Sequence, residues 1–422
     1  MLREMGLWER RGLLAAVFLL CLISALINIA FSDHLRTETI ATRAYWLIGG
    51  TLIVPLLVLL GLKVQEHMPR TFGFFERQWK RNGLWLVLLL GVIGGLAAIW
   101  FLGAFSGETI RHSDYVYHHY RSTYMAEELI PEHAALTGWN PYFFGGYPMI
   151  FYPVVQSAIP ALLNVVSGNL LSISLLTYAL IFFAYAIQPF PIYMLANRMG
   201  VSRREALLVA AAAVGLSLAF TVMLYGGIGT ALALPLSALS IYYLIGYLNN
   251  GKLRELAACG LVFGAVVATQ FLTAVGLGIG IALMLFMKAG ANARKILGAV
   301  GIGIVIAAIG MGASAFWLLP VIDAYMQGNV VSSVQYALYD LPSDWASVSN
   351  AVANLINVNH FTVFAWFFIA LGYLAAYKQR SGIYMRWAFL FPPLLFIIII
   401  IGGLPGMPLR DLQLFHLSSI MM

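Results

Sequence analysis

The chain has 422 residues, 61% of them hydrophobic and 10% charged, with a mean hydropathy of +0.86. That balance excludes a large soluble domain and predicts an all-α, polytopic transmembrane helical bundle. The formal charge of +7 does not point to nucleic acid, because the basic residues sit in short clusters at the ends of apolar runs, as orientation signals do.

In chain order, apolar runs of spanning length occur at 13–31, 44–62, 84–105, 170–196, 205–224, 229–247, 296–319, 360–377 and 387–404. The start, Met1 to Arg11, is basic and lacks a small-residue cleavage site before the first run, so that run is expected to remain as a span. A further run of 32 residues, Leu256 to Met287, has Lys252 and Arg254 before it and Lys288, Arg294 and Lys295 after it. Both flanks therefore belong on the cytoplasmic side, and the run is predicted to cross twice, turning near Thr269 to Thr273. The total is eleven spans. With Met1 cytoplasmic, only five of 24 lysines and arginines fall outside: Arg36, Arg43, Arg111, Arg121 and Arg410. The expected location is the plasma (inner) membrane. Ser157 to Val166 is apolar but short and contains Pro160, which suits a surface or re-entrant helix. The chain thus divides into three regions: 1–83, two spans and a basic loop; 84–320, a core with an outer loop at 106–169; and 321–422, a second outer loop and the last spans.

Eleven of 17 carboxylates and seven of eight histidines fall on the outer side, most densely in 106–133. Charged groups are costly near hydrocarbon, so such a cluster between spans is a candidate site. If His112 to Glu132 is helical up to Pro131, Asp114, His118, Arg121, Met125 and Glu128 share one face. Tyr117, Tyr120 and Tyr124 form a neighbouring amphipathic face suited to a membrane interface. An ordinary amphipathic helix with solvated charges has the same spacing. Next, Thr137-Gly-Trp-Asn-Pro-Tyr-Phe-Phe-Gly-Gly-Tyr-Pro148 carries three glycines, two prolines and five aromatics. It cannot be helix or strand for long. Its rings suit either a wall for a hydroxyl-bearing ligand or a belt in the headgroups. Cys21 and Cys259 read as small apolar packers, with no disulfide or thiolate metal site expected.

These residues carry a resemblance. Ser113-Asp-Tyr115 with its helix, Gly138-Trp-Asn-Pro141, Gly145-Gly-Tyr-Pro148 and a Pro-containing amphipathic helix at 153–166 resemble the first outer loop of GT-C membrane glycosyltransferases. The likeness is nearest to the pyruvoyl-tetrahydropterin synthase-related integral membrane proteins, a name that makes no claim about pterin chemistry here. Ser314-Ala-Phe-Trp-Leu-Leu-Pro320, entering another outer loop, is a second point of similarity. The likeness covers roughly Leu84 to Pro320. It implies transfer of a sugar from a polyprenyl-phosphate donor to an acceptor on the extracytoplasmic face, with Asp114 as base. A lipid phosphate leaves as a stabilised anion, so one acid suffices where a glycosidase needs two. Arg111 or Arg121 would hold the phosphate through paired hydrogen bonds. Trp139, Asn140 and Tyr147 would line the substrate. His118 and His119 would orient the acid, hold a phosphate oxygen, or bind a divalent metal (Mg or Mn) with Asp114. In the second outer loop Asp340 and Asp344 are candidates for the acceptor side, although Ser343 and Asp344 also read as a plain helix start. Departures from the pattern are two extra leading spans, no second acid adjacent to Asp114 in the first loop, and no outer domain after the last span.

Two other classes stay open. A proton-coupled transporter is disfavoured, since no span holds Asp, Glu, Lys or Arg away from its edges. A flippase for lipid-linked saccharide escapes that objection, because Asn28, Gln188, Thr269, Gln270 and Thr273 could line a polar groove. A noncatalytic membrane subunit working with a partner protein is the third class. The glycine triplet Gly276, Gly278 and Gly280 lies in an apolar run and predicts close helix packing.

Overall fold

The computed structural model describes residues 87–100, 102, 104, 114–142, 147–150, 152–203, 206, 207, 209–211, 213, 227–326, 382–384, 386–388, 390, 391 and 394. All belong to one of two compact units, Leu84–Ala353 with Tyr373–Met422; the other, Met1–Gly83 with Asn354–Gly372, lies outside the described residues. The described part is mostly helical. Among its helices, Ile173–Arg198, Ile228–Asn250, Phe271–Ala289 and Ala293–Ala313 are each long and apolar enough to cross a membrane. The chain is thus a membrane protein by the length and composition of these four.

α1 is Val87–Trp100. The expected outer-loop helix begins at Asp114 as α2 (Asp114–Tyr124) and passes into a π-helical turn at Met125–Leu129 before α3 (Ile130–His133). The Ile130 N–H reaches back to the Met125 carbonyl, one residue beyond the α-helical spacing. The wider turn rotates the helix from that point on, so Met125, Ala126 and Leu129 face the core. The chain then leaves the helix at Ala134, which takes a left-handed conformation at φ 50°.

β1 (Trp139–Asn140) and β2 (Tyr147–Pro148) form a two-residue antiparallel ladder, with Trp139 opposite Pro148 and Asn140 opposite Tyr147. α4 (Val155–Val166) has Pro160 inside it. Its 12 residues rise roughly 18 Å, too short for a hydrocarbon core of about 30 Å, as expected. The run at 170–196 is one helical stretch interrupted at Gln188, between α5 (Ile173–Ile187) and α6 (Pro189–Arg198). Pro189 and Pro191 have no N–H to continue the ladder, so the break falls at Gln188.

α7 (Ile228–Asn250) packs mainly against α8 (Leu253–Thr269). The predicted turn in the long apolar run is present. α8 ends at Thr269, Gln270 is extended (φ −154°, ψ 102°), and α9 (Phe271–Ala289) begins at the next residue. α9 folds back, so a Cβ at Gly278 would come 3.9 Å from the Phe263 ring. α10 (Ala293–Ala313), capped by Asn292 accepting from the Lys295 N–H, continues after a break at Ser314 into α11 (Ala315–Met326). Helix thus runs through Pro320 and past the expected end of that span.

Lipid is as apolar as leucine, so close contact and not burial from water must join these helices. One close approach is between α8 and α10, where a Cβ on Gly264 would lie 2.5 Å from the Gly310 carbonyl oxygen. The packing glycines of that contact are therefore Gly260, Gly264 and Gly310. Of the triplet singled out in the sequence, Gly280 meets Trp387 and Phe391, and its carbonyl accepts from Trp387 Nε1 at 2.8 Å.

Candidate functional site

The α2-to-α4 segment folds against one end of the bundle, where α7 and α9 begin and α8 ends. At the other end Arg198 meets Glu255, with Nη2 3.0 Å from Oε2, and its guanidinium lies 4.0 Å from the centre of the Tyr242 ring. Lys288 and Tyr384 are also at that end, and the Tyr384 hydroxyl is 2.6 Å from Asn249 Oδ1. The basic flanks that set the predicted orientation thus collect opposite the outer-loop segment.

Arg121 is fully buried. Its Nη1 donates to the Pro153 carbonyl at 3.0 Å and its Nη2 to the Met149 carbonyl at 2.9 Å. A planar fork of donors is matched here to two backbone acceptors of the loop, so the guanidinium ties α2 to the chain entering α4. That is the work of a structural anchor, whereas the sequence suggested a phosphate ligand.

His118, one turn earlier, is buried as well, with Nδ1 3.5 Å from Ser157 Oγ. Tyr152 packs edge-on to the rings of both Tyr117 and His118, at 5.7 and 5.4 Å. Burial, aided by the Arg121 charge, pushes the His118 imidazole down to about 3, so it is neutral at physiological pH. His119 faces another way. Its Nε2 lies 2.9 Å from Ser174 Oγ in the first turn of α5, and burial lowers its pKa too.

Asn140 is the pillar of the hairpin. It is fully buried, its Oδ1 accepts from the Tyr120 hydroxyl at 3.1 Å and the Tyr142 N–H at 2.9 Å, and its Nδ2 lies 3.0 Å from the Tyr120 oxygen and 3.2 Å from Met149 Sδ. Tyr124 donates to the Trp139 carbonyl at 2.9 Å. The tyrosine face expected to meet the membrane therefore seats the hairpin, with Tyr120 and Tyr124 bonded to it. Trp139 and Tyr142 remain on the surface, 60% and 74% exposed, and can offer ring faces to a ligand or to headgroups.

The structure thus brings together His118, Arg121, Tyr120 and Asn140 on the two sides of one packed layer, with His119 at its edge. Arg111, Asp340 and Asp344 lie outside the described residues. Asp114 opens α2 and Tyr147 lies in β2, but their side chains, and the roles expected of them, also lie outside the described part. Among the described residues no group of three or more His, Cys, Asp or Glu could hold a metal. His118 is turned through Nδ1 toward Ser157 and flanked by Tyr152, and the Asp114 side chain expected to share a metal with it lies outside the described part. Cys259 is buried beside Ser240.

Sequence reasoning gave no role to three participants, although Trp317 lies in the quoted stretch Ser314 to Pro320. Trp317 in α11 donates from Nε1 to the Ile150 carbonyl at 2.8 Å and pins the loop to the bundle. Ser157 faces His118. Gln156 is 1% exposed, and among the described residues neither its Oε1 nor its Nε2 meets a hydrogen-bond partner. An amide beside Ser157 in a stretch, 153–163, that is otherwise apolar was its only signal.

The chain matches no protein-family model, and no curated protein shows significant similarity to it.

Proposed function

We propose that the chain is a GT-C-like membrane glycosyltransferase of eleven spans, moving a sugar from a polyprenyl-phosphate donor to an acceptor at the extracytoplasmic face. The supporting observation is the outer-loop layer itself: a hairpin and short helix held on the bundle end by buried hydrogen bonds, with aromatic rings left exposed beside them. A passive connection between spans does not need that much buried polar construction, which is costly unless it is fully paired.

In this reading Asp114 accepts the proton of the acceptor hydroxyl as its oxygen attacks the anomeric carbon. The bond from that carbon to the lipid phosphate breaks, and the phosphate departs as an anion without a general acid. Trp139 and Tyr142 supply flat faces for the sugar. Arg121 is already bonded to the backbone, so among the sequence candidates Arg111 is the outer cation left for the phosphate. Purified protein in nanodiscs with labelled polyprenyl-phosphate sugar tests this. Asp114→Asn should keep the elution profile and thermal midpoint and lower transfer by about 10²- to 10⁴-fold. Full activity in that variant would remove Asp114 from the mechanism.

A second reading, a flippase for lipid-linked saccharide, is favoured by buried polar groups along the helices: Gln188, Thr269 and Thr273 are each 1% exposed. Passage of labelled lipid across vesicles without acceptor, and without sugar transfer, would select it.

A further inference from the structure

Three helices begin within one small neighbourhood under the outer-loop layer. The second residue of α7 is Gly229, and a Cβ built there would lie 3.5 Å from Gln156 Nε2, on the second residue of α4, and 2.9 Å from the Thr269 carbonyl oxygen, just before α9 starts. At the same junction Gln270 Nε2 donates to Thr230 Oγ1 at 3.4 Å. The starts of α4, α7 and α9 have no side-chain cap, in contrast to α5 and α10, which are capped by Ser172 and Asn292. Each start presents N–H groups without an intrahelical acceptor, and each carries the positive end of a helix dipole.

Helix starts alone do not define a site. Gln156 supplies the independent observation: its amide is buried at the same junction, with both donor and acceptor unmatched among the described residues. Proteins seldom leave such a group without a partner. In membrane proteins, discontinuous helices whose starts converge near the bilayer commonly face the anionic part of a substrate.

We infer that this junction is an anion subsite for a phosphate group, formed by the starts of α4, α7 and α9 and by the Gln156 amide. Gln156 Nε2 donates to a phosphate oxygen, and its Oε1 accepts from a neighbouring hydroxyl or a protonated phosphate oxygen. The subsite supplies a holder for the phosphate that needs no guanidinium, which suits an arginine bound to Met149 and Pro153. A Cβ at Gly229 would press on the Thr269 carbonyl oxygen, so glycine there lets the start of α7 pack closely on the end of α8 and beside the Gln156 amide. The inference deepens the glycosyltransferase reading and rests on it for a lipid as the source of the phosphate.

The test is binding, without sugar or acceptor. Wild-type protein in detergent is titrated with a C20 isoprenyl monophosphate, the parent isoprenyl alcohol and inorganic phosphate, following thermal midpoint and direct affinity. The expected result is that the monophosphate binds and the alcohol does not, and that Gln156→Leu and Gln156→Glu, both eluting as folded protein, weaken binding roughly tenfold or more. Inorganic phosphate binding as tightly, with the same dependence on Gln156, would support the subsite with a free anion as its occupant. Absence of phosphate binding by wild type, or unchanged affinity in whichever variant folds, would overturn it. Asp114→Asn should bind the monophosphate as wild type does. Lost binding with retained transfer therefore removes only the subsite, and retained binding without transfer removes only the enzyme assignment.

Discussion

At one end of the bundle Arg198 is held by the carboxylate of Glu255; at the other, Arg121 is held by the carbonyls of Met149 and Pro153. The first pair is partly wet, with side chains 20% and 13% exposed, and the second arginine is dry. Two opposite charges need little help from their surroundings, whereas a buried cation held by backbone dipoles needs those carbonyls to stay where they are. The Arg198 contact therefore joins elements that are already rigid helices. The Arg121 contact creates rigidity in a loop that has only a two-residue ladder of its own.

Breaking each contact tests that contrast. Arg121→Met should have the largest effect, about 3–5 kcal/mol, because it strips two buried carbonyls of a charged donor. Thermal unfolding should show it, together with new proteolytic cleavage between Gly138 and Tyr152; a variant as stable as wild type would mean that the loop is held elsewhere.

Acidification should act next, through the loop end. The His118 pKa lies far below its usual 6.5, at about 3, so between these values the unfolded chain binds a proton that the folded chain does not. Stability is then full above about pH 6.5 and falls as pH drops toward 3, by up to about 1.4 kcal/mol per pH unit for this group. His118→Gln should flatten that part of the profile, and an unchanged slope would show that other groups set it.

The Arg198–Glu255 pair should give the smallest effect. A double-mutant cycle with Arg198→Met and Glu255→Gln, read by thermal unfolding, should return a coupling of about 1–2 kcal/mol. A value as large as the Arg121 loss would erase the contrast between the ends.

The features legible in the sequence were those that charge and length determine. Lys252, Arg254 and Lys288 required a turn inside Leu256 to Met287, and the chain turns at Gln270. The shortness of 157–166 and its proline marked α4. The features that stayed hidden depend on partners distant in sequence. Arg121 was recognised as a rare outer cation, but nothing near it announced that carbonyls 28 and 32 residues away would take its donors. Asn140 was expected to line the substrate only because its motif resembles that of a family, and the fold uses its amide to hold Tyr120 and Tyr142. The π turn escaped because regular spacing assumes regular geometry, and Pro131 is compatible with either.

The single extended residue between α8 and α9 has a mechanical meaning. With only Gln270 joining them, the two helices have no slack, so the end of α8 and the start of α9 cannot draw apart without unwinding one of them. A few glycines inserted after Thr269 would loosen this junction without touching either arginine.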